Sequence, residues 1–131
     1  MKFYFRVDSS LQIGSGHVQR CITLAKKLKE NGNKCKFICR NHKNNLIQKI
    51  MKEGFEVIIL TNSKNIKLKK KTKNKKTNYS NWIGANWLGD ARQTIDVLKS
   101  EEVDWLVIDH YGIDHKWEQK LRPYCKKIMI I

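Results

Sequence analysis

The sequence predicts an α/β domain, a Rossmann-like parallel sheet with flanking helices, and two observations carry that expectation. Short aromatic or β-branched runs alternate along the chain with stretches whose apolar residues recur every three or four positions. Glycines stand where the first two helical patterns end, at Gly32 and Gly54. The chain of 131 residues is long enough for one domain with a real core.

Each element follows from its residues. Phe3-Tyr4-Phe5-Arg6-Val7 reads as a first strand. In the helix after it, Val18, Cys21, Ile22, Ala25 and Leu28 form one apolar face, with lysines and Glu30 between them. Lys34 to Cys39 is a second strand, and Leu46, Ile47, Ile50 and Met51 mark a second helix. Phe55 to Leu60 is nearly continuous in apolar residues, as expected of a strand buried on both faces. Ala91, Ile95 and Leu98 mark a helix starting near Asp90, and Trp105 to Asp109 is a fourth strand. Trp117 and Leu121 belong to a further helix, and Ile128 to Ile131 make a fifth strand, which reads as still in progress at Ile131. Open parallel sheets bind ligands at the carboxyl ends of their strands, where the residues after Val7 and after Ile108 both lie.

The turn between the first strand and the first helix is the most informative segment. Gly14-Ser15-Gly16-His17 combines glycines, which accept positive φ or let a ligand come close, with helix-start amides that face outward at the positive end of the helix dipole. An anionic group can dock there, and a histidine at such an end is disfavoured as imidazolium and so available to accept a proton. The spacing alone fits a plain strand-to-helix turn equally well. Gln19 stands where a dinucleotide fingerprint needs its third glycine, and no G-K-[ST] follows.

Composition narrows the classes. The formal charge of +15 suggests nucleic acid or an anionic membrane, but eight lysines fall between Lys64 and Lys76 in a stretch without acids or aromatics. That lysine-rich insert, at about 64–78, reads as a solvated loop and not as a specific nucleic-acid contact. No secretory signal and no apolar run long enough for a membrane span is present. Cys21 sits on an apolar helix face, and Cys35 and Cys39 lie four residues, roughly 13 Å, apart along a strand, too far to share a metal or a disulfide. These features predict reduced thiols and a cytoplasmic location, with no membrane partner.

The string Arg6-x-Asp8, then Ile13-Gly14-x-Gly16-His17-x-x-Arg20-Cys21-x-x-Leu24-Ala25, closely resembles the N-terminal signature of the pseudaminic acid biosynthesis hydrolases. These enzymes hydrolyse UDP-2,4-diacetamido-2,4,6-trideoxy-β-L-altropyranose to UDP and the free sugar. A second match is Val107-Ile108-Asp109-His110-Tyr111-Gly112-Ile113-Asp114, where the family carries a D-x-Y segment after its fourth strand. The resemblance implies the N-terminal domain of a two-domain enzyme of GT-B architecture, roughly half of the family's length, with the C-terminal nucleotide-binding domain absent from this chain. It implies His17 as catalytic base, acting by anomeric C–O cleavage with inversion, and Tyr111 near the sugar. Asp8, Gly14, Gly16, Arg20 and Asp109 are the other expected substrate-binding residues, for a UDP-sugar.

From chemistry alone, Asp8 can orient His17 or a sugar hydroxyl or simply form a turn, and Asp109 can bind a hydroxyl or tie down its loop. UDP is a good leaving group, so one base and several phosphate donors suffice, with no cofactor and no metal expected. No pair of histidines or acids has metal-ligand spacing along the chain. His42 and His115 read as surface residues, His110 lies beside the expected crevice, and Trp82 and Trp87 fit either a substrate loop or packing against the sheet edge. Alternative readings are a glycosyltransferase-like polysaccharide protein of the same architecture and a non-catalytic binding fragment; oligomeric state is not legible.

One outcome follows from composition. Deleting residues 64–76 should leave the thermal unfolding midpoint unchanged, because eight like charges without apolar anchors have nothing to bury; a large fall in that midpoint would show that the segment packs.

Overall fold

A computed structural model describes residues 1–61 and 82–131. The insert expected at 64–78 lies outside the described residues. In chain order the elements are β1 (Lys2–Val7), α1 (Gly16–Glu30), β2 (Lys34–Arg40), α2 (Ile47–Lys52), β3 (Glu56–Leu60), α3 (Trp87–Leu98), β4 (Trp105–Asp109), α4 (His115–Leu121) and β5 (Lys127–Ile130). The five strands form one parallel sheet in the order β3-β2-β1-β4-β5. This is the Rossmann-like α/β arrangement expected from the alternation of strands and helices.

The order carries a functional consequence. From β1 the chain winds outward to β2 and β3, then returns to place β4 on the other side of β1. The reversal falls between β1 and β4, the switch point at which open parallel sheets bind ligands. In register, Phe5 pairs with Val107 and Val7 with Asp109, so the loops carrying His17 and Tyr111 leave the sheet side by side.

Period-two alternation sends the side chains of β1 into two cores. Phe3, Phe5 and Val7 join Val18, Cys21, Ile22 and Ala25 of α1, Phe37 and Cys39 of β2, and Ile47 and Ile50 of α2. Phe37 stacks on Phe5 at 4.9 Å between ring centroids and meets Phe55 at 5.4 Å. On the opposite face Tyr4 packs with Ile38, Leu60, Leu106 and Ile108 beneath Ala91 and Leu98 of α3 and Trp117 and Leu121 of α4. Both faces are therefore covered.

Two local expectations are revised. The strand over Glu56–Leu60 lies at the edge of the sheet among the described residues, and Ile59 is 43 % exposed. An apolar run reports that helices cover a strand's faces, not that it has two lateral neighbours. The third helix begins at Trp87, ahead of Asp90, because Asn86 Oδ1 accepts the amide of Leu88 at 2.9 Å and caps it there. All four cysteines are free thiols, as expected.

Substituting Phe37→Ala empties a fully buried position between two rings. The expected loss is about 3–5 kcal/mol of unfolding free energy, measured by urea titration; a loss under about 1 kcal/mol would mean that this core closes around the gap.

Candidate active site

The turn into α1 is built by its own polar atoms. Ser10 Oγ accepts the amides of Gln12 and Ile13 at 3.2 and 3.0 Å, and Gly14 N–H donates to Ser10 O at 2.8 Å. Gly14 takes φ +82°, the left-handed region that glycine enters without cost. Ser15 occupies the N-cap position without a side-chain capping bond, so the first-turn amides of α1 have no side-chain acceptor. Gly14, Ser15 and Gly16 are exposed, and a Cβ on either glycine would meet nothing within 4 Å. The space above the turn is open.

His17 follows in the first turn of α1, as expected. Its Nδ1 hydrogen-bonds Asp109 Oδ1, at the carboxyl end of β4. The same carboxylate holds Arg20 in a two-point pair, Nε to Oδ2 at 2.5 Å and Nη2 to Oδ1 at 2.6 Å. Asp109 is fully buried while the Arg20 side chain is 44 % exposed, so the guanidinium spans from a buried carboxylate to solvent. Asp109 raises the Arg20 pKa further above its ordinary value. Arg20 Nη2 also lies 3.1 Å from Nδ1; with Nδ1–H assigned to the carboxylate, which can only accept, the lone pair of a neutral imidazole lies on Nε2. Tyr111 stands against His17 at right angles, 4.8 Å between centroids, and Trp82 stacks on Tyr111 at 6.1 Å.

Two expectations change here. The ring of His17 is not open to a crevice: the residue is only 6 % exposed, with the half-exposed Tyr111 against it. The residue that orients His17 is Asp109 and not Asp8. A carboxylate fully engaged by His17 and Arg20 is placed to fix a tautomer, and its burial leaves no surface for a sugar hydroxyl.

Asp8 belongs to the other face of the sheet. Arg6 and Asp8, two residues apart on an extended segment, share that face and pair at 2.6 and 3.0 Å, both with side chains at zero exposure. Arg6 also donates to Asp90 at 2.7 Å, and Arg40 reaches the same Asp90 oxygen at 2.6 Å. Trp117 Nε1 donates to Asp90 at 2.9 Å. Asp8 further accepts the backbone amide of Arg40 at 2.7 Å, His42 Nε2 at 3.1 Å and His110 Nε2 at 2.9 Å. Burial alone would raise the pKa of Asp8 and Asp90; the charge of Arg6 and the hydrogen bonds around each outweigh it and hold both below the usual carboxylate range. His42, expected at the surface, is thus drawn into the buried cluster, whereas His115 is exposed at the start of α4 as expected.

Asp8, His42 and His110 bring ligand-type atoms within 4.8 Å of one another, a grouping invisible in their sequence spacing. The donor set does not suit a cation. Gly112 N–H donates to His110 Nδ1 at 2.9 Å, which puts the ring proton on Nε2, the atom that would have to ligate. The Arg6 guanidinium already pairs with both oxygens of Asp8.

Sequence reasoning gave Arg40 no role, read Asp90 only as a helix start and placed His42 at the surface. The available signal was a charge within a strand, as at Arg6 and Arg40, since a buried guanidinium obliges the fold to supply a carboxylate.

No protein-family model matches the chain. Over 130 residues it is 28 % identical to an uncharacterised protein of Methanocaldococcus jannaschii, an alignment covering 98 % of this chain and 21 % of that protein. Over 113 residues it is 30 % identical to the UDP-2,4-diacetamido-2,4,6-trideoxy-beta-L-altropyranose hydrolase of Campylobacter jejuni, covering 86 % of this chain and 29 % of the hydrolase. The chain thus spans less than a third of the length of either curated relative. Among the described residues no helix is long and apolar enough to cross a membrane.

Replacing Asp8 by Ala leaves the Arg6 guanidinium half-paired in the interior and frees two imidazoles. The expected cost is about 3–5 kcal/mol in urea unfolding. A loss below about 1 kcal/mol would show that Asp90 alone neutralises this cluster.

Proposed function

We propose that this domain supplies the general base of a UDP-sugar hydrolase of the pseudaminic acid pathway. The observation that carries the reading is His17, seated in the first turn of α1 at the switch point with its Nδ1 held by Asp109. The likeness to the Campylobacter hydrolase supports it, at the level of a distant relative.

In this reading the sugar lies above the Gly14–Gly16 turn, beside Tyr111. A water molecule attacks the anomeric carbon as His17 Nε2 takes its proton. The anomeric C–O bond breaks and its electron pair leaves on the diphosphate of UDP. Asp109 balances the imidazolium that forms, and the exposed part of Arg20 and the first-turn amides of α1 offer positive charge to the departing diphosphate. Asp8 acts at a distance by supporting the site from the opposite face. The uridine contacts are assigned to a second, nucleotide-binding domain, so this domain alone lacks a complete leaving-group site. No cofactor enters these steps.

The test uses a protein in which this domain is joined to such a nucleotide-binding domain. His17→Ala should lower kcat by roughly a hundredfold to ten-thousandfold with little change in UDP affinity. Near-normal turnover in that variant would remove His17 from the chemistry. Robust hydrolysis of the UDP-sugar by the 131-residue chain alone would falsify the two-domain reading.

A further inference from the structure

Asp109 and His110 are consecutive, yet they serve opposite faces of the sheet. Asp109 turns toward α1, where it holds His17 and Arg20. His110 turns toward the buried ion network, where its Nε2 lies 2.9 Å from Asp8 Oδ2. Its other nitrogen, Nδ1, accepts the amide of Gly112 at 2.9 Å. A neutral imidazole carries one proton, and these two partners require it on Nε2. Both ring nitrogens are then satisfied in a single tautomer, inside a side chain that is 1 % exposed.

The chain between the two ends of this bridge is Tyr111. Its neighbours on either side, His110 and Gly112, are joined to each other through the imidazole, and the imidazole is joined to the fully buried Arg6–Asp8 ion pair. Tyr111 itself is 55 % exposed, so burial does little to hold it, and its side chain also interacts with the Arg20 guanidinium. It nonetheless stands against His17 at a defined angle and stacks on Trp82.

We propose that His110 is the positioning residue of this site: its Nδ1 holds the Gly112 amide and so fixes the turn laying Tyr111 across His17, while Asp8 fixes the tautomer that leaves Nδ1 able to accept. Its effect on catalysis rests on the reading of His17 as a base; the placement of Tyr111 does not. A second proton would have to go on Nδ1, directly opposite the Gly112 N–H, so imidazolium and brace exclude each other. The charged and titratable groups facing the ring are Arg6 from β1, Asp8 just after it, His42 from the segment after β2, and Asp90 from α3. Burial foremost, with Arg6, lowers the His110 pKa from 6.5, against the opposing pull of Asp8 and Asp90. The brace therefore holds at neutral pH and is released only at a pH below the ordinary imidazole value.

The experiment is NMR on the 131-residue chain with labelled histidine, comparing wild type, H110N and H110Q. An Asn side chain places an acceptor near the position of Nδ1, whereas Gln places a donor near the position of Nε2. H110N should keep the Gly112 amide protected and the His17–Tyr111 ring contacts visible. H110Q should speed Gly112 exchange by about tenfold or more, the scale of one lost buried hydrogen bond, and weaken those contacts. In wild type, His110 Nδ1 should be unprotonated at neutral pH. On acidification, Gly112 protection and the ring contacts should fade with the midpoint of His110 while the core methyl signals stay native. Unchanged ring contacts in H110Q, equal loss in both variants, or a proton on Nδ1 at neutral pH would each overturn the proposal. If H110Q does not fold, the wild-type titration decides: contacts that persist after His110 is protonated refute the brace. None of these readouts requires turnover, so they stand or fall apart from the hydrolase reading.

Discussion

Two arginines and two aspartates buried against one face of the sheet constrain everything at its carboxyl edge. Arg6, Asp8, Arg40 and Asp90 are all at 1 % exposure or less, and their charges cancel. Taking any one of these ions out of water alone would cost several kcal/mol, so each must be met by a partner with good geometry. The partners come from different elements: Arg6 from β1, Arg40 from β2, Asp90 from α3, with Trp117 of α4 closing on Asp90. The network thus specifies how the helix layer sits on the sheet. It also prepares Asp8 to receive His42 and His110 from two further loops. Gly84 is part of the same fit: it takes φ +67°, and a Cβ there would come within 2.7 Å of His42 Cε1.

The two faces of the sheet divide the labour. The face under α1 and α2 is aromatic and aliphatic up to Val7 and Val107, and only at its rim does it carry Asp109, His17 and Arg20. The face under α3 and α4 carries charge inside it. A site at the rim of an apolar core gains a low-dielectric backing for Asp109 while Arg20 keeps contact with solvent. The opposite face supplies rigidity, because ions that must stay paired leave few alternative arrangements for the loops they touch.

Acid acts on these groups in separate windows. Asp8 and Asp90 have folded pKa values below the ordinary 3.8, so the unfolded chain binds protons first as pH falls. Their contribution to stability is complete above about pH 4 and is lost below it. His110 has a folded value lowered from 6.5, so it too leaves the unfolded state with more protons bound in the window just under 6.5. Its contribution is complete above that value and is lost as pH falls through the folded value.

The sequence by itself determined the alternation of strands and helices, the parallel α/β class and the place of the glycine turn ahead of His17. Periodicity and turn chemistry are local, and local spacing is all that a linear string records. The pairing of Arg6 with Asp8 was not read from the sequence, although residues two apart on an extended segment share a face. The tertiary structure alone decided that His17 answers to Asp109, ninety-two positions away, and that Asp8 answers to His110 and His42. It likewise decided that β3 lies at the edge and that His17 is covered by Tyr111. Strand order brings β4 against β1, and only then do the alternating side chains at their ends acquire neighbours. Which carboxylate meets which histidine depends on that register, a relation between distant segments that no spacing along the chain contains.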